Sequence, residues 1–100
     1  MIKHVVMWKL KDFAEGAGKK ENAEKIKILL EGLNGKIEQI KSCEVGVNIN
    51  DSDMAYDAVL ISKFDDEKAL EEYQVHPEHI KVKEFISKVR ESRTVVDYVI

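Results

Sequence analysis

The chain has 100 residues, which reads as one domain over 1–100, large enough for a single core and small enough for a partner subunit to matter. With 44% hydrophobic and 35% charged residues and a net charge of −3, it is unlike a disordered chain, and it lacks the basic excess of a nucleic-acid binder. Its apolar runs are far shorter than the roughly 20 residues that span a bilayer, no signal peptide precedes the first strand pattern, and the lone Cys43 permits no internal disulfide, so a cytoplasmic location with no membrane partner is expected.

Ile2 to Leu10 alternates as a strand, with Ile2, His4, Val6, Trp8 and Leu10 on one face. Asp12 to Gly18 is small and polar, a loop. Lys19 to Leu33 carries Ala23, Ile26, Leu29, Leu30 and Leu33 at helical spacing, and Asn34-Gly35 supplies the left-handed residue that ends a helix. Ile37 to Ile49 is extended again, with Cys43, Val45, Val47 and Ile49 sharing a face, and Asn50 to Asp53 makes a solvated turn. Tyr56 to Phe64 is a third strand, apolar on both faces at its centre. Asp65, Asp66 and Glu67 open a helix that breaks at Pro77, because proline fixes its own φ and extends the residue before it. The helix resumes with Val82, Phe85, Ile86 and Val89 as its apolar stripe, and Thr94 to Ile100 closes the chain as a valine-rich strand.

The order β-α-β-β-α-β predicts an α+β, ferredoxin-like fold: a four-stranded antiparallel sheet with helices on one face and the second helix broken at Pro77. Such a sheet leaves its other face bare. If the helices cover His4, Trp8 and Leu60, then Val5, Met7, Val59, Ile61, Val96, Tyr98 and Ile100 lie on that bare face, and burying it against a second copy predicts a homodimer that forms a dimeric α+β barrel.

The same spacing brings candidate chemistry together. His79 lies three residues before Val82 and seven before Ile86, and Tyr73 lies four after Ala69, so an imidazole and a phenol point inward from either side of the break. His4 shares the covered face. A core histidine and a core tyrosine fit the pattern as well as a pocket does. A metal site is not expected, since Pro77 turns His76 and His79 apart and one cysteine is available. His76 reads as a helix-start residue, Cys43 as a buried inert thiol, and Lys81, Lys83, Lys88 and Arg90 as the wet face of the last helix.

The run Tyr73-Gln-Val-His-Pro-Glu-His79, with His4 in the first strand and Val95-Val-Asp-Tyr98 in the last, resembles the stress-responsive A/B barrel domain family over nearly the whole chain. The resemblance implies a dimeric α+β barrel. The family includes a plant polyketide cyclase that forms olivetolic acid by aldol condensation without metal or organic cofactor, and its catalytic tyrosine and histidine match Tyr73 and His79. Its first-strand histidine matches His4 and a last-strand aspartate matches Asp97, whereas its third-strand histidine is Ala58 here. On this resemblance the catalytic candidates are Tyr73, His79, Asp97 and His4, with no cofactor. His79 would act as base, Tyr73 as hydrogen-bond donor and Asp97 as the partner that orients His79. The expected pocket, for a small hydrophobic or aromatic ligand, is walled by Trp8, Ala58, Leu60, Phe64, Val82, Ile86 and Val95. Two functions fit: a cofactor-independent cyclase, lyase or isomerase, and a non-catalytic ligand-binding or structural dimer.

Overall fold

The computed structural model describes all 100 residues. Strand β1 (Ile2–Leu10) alternates buried and open positions along its whole length, as its sequence does, and it is hydrogen-bonded on both sides. A two-residue hairpin follows, β2 (Phe13–Ala14) and β3 (Ala17–Gly18), turning through Glu15 and Gly16 at positive φ. Helix α1 (Lys19–Glu31) buries Asn22, Ala23, Ile26 and Leu30. Asn22 replaces Leu29 on the expected stripe: its amide donates to the Ala14 and Ala17 carbonyls, tying the hairpin to the helix, while Leu29 is 38% exposed.

The helix ends earlier than its hydrophobic pattern suggested, at Glu31, and Leu33 and Ile37 are buried from a run of turns in which Gly35 takes φ +85°. Ile37 does not begin a strand, because its amide is spent on the Leu33 carbonyl. Strand β4 is therefore Ser42–Val47. Strand β5 (Ala58–Phe64) also starts late. Asp57 is held outside it, donating its N–H to the Trp8 carbonyl and accepting the Leu10 N–H on its carboxylate at 2.7 Å.

Helix α2 (Glu67–Val75) is capped by Asp66, whose carboxylate accepts the Ala69 N–H at 2.8 Å. Pro77 opens helix α3 (Pro77–Val89), with His76 extended before it and accepting the Glu78 N–H on Nδ1. Strand β6 (Arg90–Val99) begins with no connecting loop, four residues before the expected start at Thr94.

The large sheet is antiparallel in the order β4-β5-β1-β6, with α1, α2 and α3 on one face, and the β2-β3 hairpin is a separate two-stranded sheet. Nineteen buried apolar residues form one continuous core between sheet and helices, including Phe64, Tyr73 and Val89 at 1% exposure or less. The fold is α+β and ferredoxin-like, as the element order requires. The far face of the sheet is open: Met7 is 38% exposed, Val96 59% and Tyr98 43%. Val5, Val59 and Ile61 lie between them, half-buried.

Candidate functional site

Register, helix phase and the proline break together assemble the site. On α2, Ala69, Leu70 and Tyr73 share the buried face, and α3 buries Val82, Ile86 and Val89. His79 sits one turn before Val82, so its ring enters the same interior and packs against Tyr73, with ring centroids 4.3 Å apart. Phe64 at the end of β5 packs behind Tyr73 at 4.9 Å, and His4 presents an edge to both Phe64 and Tyr73 at 6.3 Å. Four rings from β1, β5, α2 and α3 thus form one cluster.

Asp97 does not orient His79. The antiparallel register of β1 and β6 sets it directly opposite His4 on the helix-covered face, and its carboxylate hydrogen-bonds His4 Nδ1. His4 is almost wholly buried while the Asp97 side chain is 40% exposed on the edge strand, so the pair closes the rim of the ring cluster.

His79 Nδ1 and the Tyr73 hydroxyl are buried without any hydrogen-bond partner in the chain. Unpaired buried polar atoms are uncommon and costly, roughly 1–3 kcal/mol each, and they mark places where a bound molecule can complete the bonding. Burial pushes the Tyr73 phenol well above its usual range, so it stays a donor. His79 is pulled down to about 4, first by burial and then by the cationic fields of Lys83, His4, Arg93 and His76. At neutral pH its imidazole is uncharged.

Beside His79 lies a cavity of about 420 Å³ between sheet and helices. Val6, Trp8, Leu30, Leu60 and Ile86 form its apolar wall, His4 and His79 its inner polar points, and Lys83, Arg90 and Arg93 its charged side, with Gln74 and Ser87 completing the lining. Of the seven expected wall residues, Trp8, Leu60 and Ile86 are in place. Phe64 is screened by Tyr73, and Val82 is part of the core. Ala58 and Val95 also lie off the lining, Val95 being 42% exposed on the edge strand. Tyr73 stands immediately behind His79 without lining the cavity.

Lys83 and Arg90, expected on a purely wet face, border the cavity, and Arg93 fell outside the expected last strand. The alternation of β6 carries the missed signal: Arg93, Val95 and Asp97 share a face, and Arg93 pairs in register with Trp8. Two wider concavities, of about 930 and 600 Å³, lie beside the Asn48–Asp53 turn, the second extending onto the open sheet face; neither contains His79. No three His, Cys, Asp or Glu side chains lie close enough together to hold a metal ion, and no helix is long and apolar enough to cross a membrane.

Comparison with known proteins places this geometry among others. The family model for the stress responsive A/B barrel domain matches residues 2–100. An uncharacterised protein of Streptomyces coelicolor is 38% identical over 80 residues, 79% of each chain. A dimeric protein of unknown function with a ferredoxin-like fold from Bacteroides fragilis superposes with a TM-score of 0.88 at 33% identity, covering 99% of this chain and 95% of that one. A hydroxynitrile lyase from Passiflora edulis shares the fold, with a TM-score of 0.79 at 17% identity over 99% of this chain and 92% of its own.

Proposed function

This chain belongs to the stress responsive A/B barrel domain family, and from that premise we propose that it is a cytoplasmic, single-domain homodimer in which each copy binds a small molecule between sheet and helices and acts on it by proton transfer without a cofactor. The dimer is supported by the apolar open face and by the dimeric Bacteroides fragilis relative. Pairing two such sheets face to face, as a dimeric α+β barrel, would bury Met7, Val96 and Tyr98 together. Sedimentation at micromolar concentration should give twice the 11.5 kDa chain mass, and Val96→Asp should give the chain mass; a monomeric wild type would overturn the dimer.

The chemistry rests on one observation: the His79 imidazole lines a cavity with an apolar wall, and an unpartnered phenol, Tyr73, is packed directly behind it. His79 would take a proton from a carbon next to a carbonyl, the C–H electron pair becoming the C=C bond of an enolate as the carbonyl π pair moves onto oxygen. For Tyr73 to donate a hydrogen bond to that oxygen, the His79 ring that covers its buried hydroxyl must swing aside. In a cyclase the enolate carbon then attacks a second carbonyl of the same molecule, forming the ring C–C bond, and the proton returns from His79 to the new alkoxide. Asp97 and His4 hold the adjoining edge of the sheet and keep the ring cluster closed.

A second reading has its own support. An imidazole held near 4 is a weak base, which suits a protein that binds a hydrophobic metabolite without converting it. The two readings separate in an exchange assay: small β-keto and arylacetone-type carbonyl compounds are incubated in D₂O and followed by NMR. Catalysed exchange at the α-carbon, abolished in His79→Ala and weakened in Tyr73→Phe, is the expected result. Saturable binding without exchange would leave the binding role alone, and undiminished exchange in His79→Ala would remove His79 as the base.

A further inference from the structure

The charge around the cavity is one-sided. Lys83, Arg90 and Arg93 line it, and no aspartate or glutamate does. None of the three takes part in any of the six ion pairs of the chain, although acidic residues outnumber basic ones, 19 to 16. Asp97, the carboxylate on the same side of β6, is occupied by His4. Three unpaired cations around one small space repel one another, and an anion seated among them relieves that repulsion. Guanidinium groups also match a carboxylate's two oxygens with paired donors.

We propose that the cavity takes an organic anion, an apolar molecule of one or two rings with a carboxylate held by Arg93, Arg90 and Lys83. This rests on the reading of the cavity as a small-molecule site. Its apolar body lies against Trp8, Leu60 and Ile86, and this orientation sets the carbon chain between the cations and His79. At about 420 Å³ the space is at the lower end of ligand pockets, which suits a molecule of that size. The seated carboxylate also opposes the fields of Lys83 and Arg93, so the occupied site holds a stronger base at His79 than the empty one.

The test uses matched pairs: 4-phenylbutanoate, cinnamate and 2-naphthoate, each with its primary amide, titrated against the whole protein by the fluorescence of Trp8. Binding is measured for wild type and for the Arg93→Gln and Lys83→Gln variants; both side chains are exposed, so the fold is kept, as thermal unfolding will verify. The expected result is that at least one acid binds about tenfold more tightly than its amide, with the advantage falling on added salt. Arg93→Gln with Lys83→Gln removes most of that advantage, the acid losing more affinity than its amide. Equal binding of every acid and amide by wild type, or a preference that the double variant leaves undiminished, overturns the anion site while the pocket stands. No saturable response to any of the six compounds overturns both the anion site and the small-molecule reading.

Discussion

Replacing His79 with glutamine should flatten part of the acid sensitivity of the fold, and the effect can be worked from its surroundings. In the unfolded chain this imidazole takes up a proton at its ordinary 6.5; folded, it resists until about 4. Above pH 6.5 both states hold it neutral, so it contributes no pH dependence. Between 6.5 and 4 the unfolded chain alone gains the proton, stability falls with each step of acid, and below 4 the loss is complete. Taken at face value the difference is roughly 3 kcal/mol; solvent screening of a half-buried ring brings it to about 1–2 kcal/mol. Urea unfolding of wild type and His79→Gln at pH 7, 6, 5 and 4 isolates this, since every other titrating group is common to both proteins. Wild type should lose about 1–2 kcal/mol more than the variant across that range. Parallel curves from pH 7 to 4 would refute the argument that burial and the neighbouring cations hold this ring neutral.

Other perturbations bear on the same interior. Phe64→Ala, at a fully buried position that carries the Tyr73 ring, should cost about 3–5 kcal/mol in denaturant unfolding, against less than about 0.5 for Ile28→Ala, which is 69% exposed. Asp97→Asn should lower stability by about 1–2 kcal/mol by weakening the bond to buried His4, and this should be visible as an earlier urea midpoint. The Cys43 thiol is pushed up to about 11 by burial and the nearby Glu31 carboxylate, which leaves roughly a hundredfold less thiolate than an ordinary cysteine has. Iodoacetamide at pH 7.5 should therefore alkylate the native protein far more slowly than the urea-unfolded chain, and equal rates would contradict that burial.

What the sequence disclosed and what it concealed divide along physical lines. The alternation of Ile2 to Leu10 and of Ala58 to Phe64 assigns every residue of those strands to its face, because strand parity is a local property. The break at His76-Pro77 and the inward aim of Tyr73 and His79 were equally legible, since proline stereochemistry and helix phase need no distant partner. Element ends were not. Ile37 and Asp57 look strand-like until tertiary hydrogen bonds claim their polar groups, and Arg90-Glu-Ser-Arg93 reads as a polar loop although it is paired to β1. The partner of Asp97 depended on the register of two strands more than ninety residues apart in the chain. Lys83 and Arg90 misled for a different reason: they are wet and they border a cavity, and periodicity reports only that they avoid the core.

The measurement that bears most directly on the cavity as a binding site is a titration of Trp8 fluorescence with arylcarboxylic acids in wild type and in Ile86→Phe, which enlarges one wall of the space beside His79. Trp8 is the only tryptophan and lines that space, so the signal has a single source. Saturable quenching in wild type that is lost in Ile86→Phe, with both proteins equally folded, is what a small-molecule site between sheet and helices predicts. Unchanged fluorescence at every concentration, or quenching that Ile86→Phe leaves intact, would contradict it.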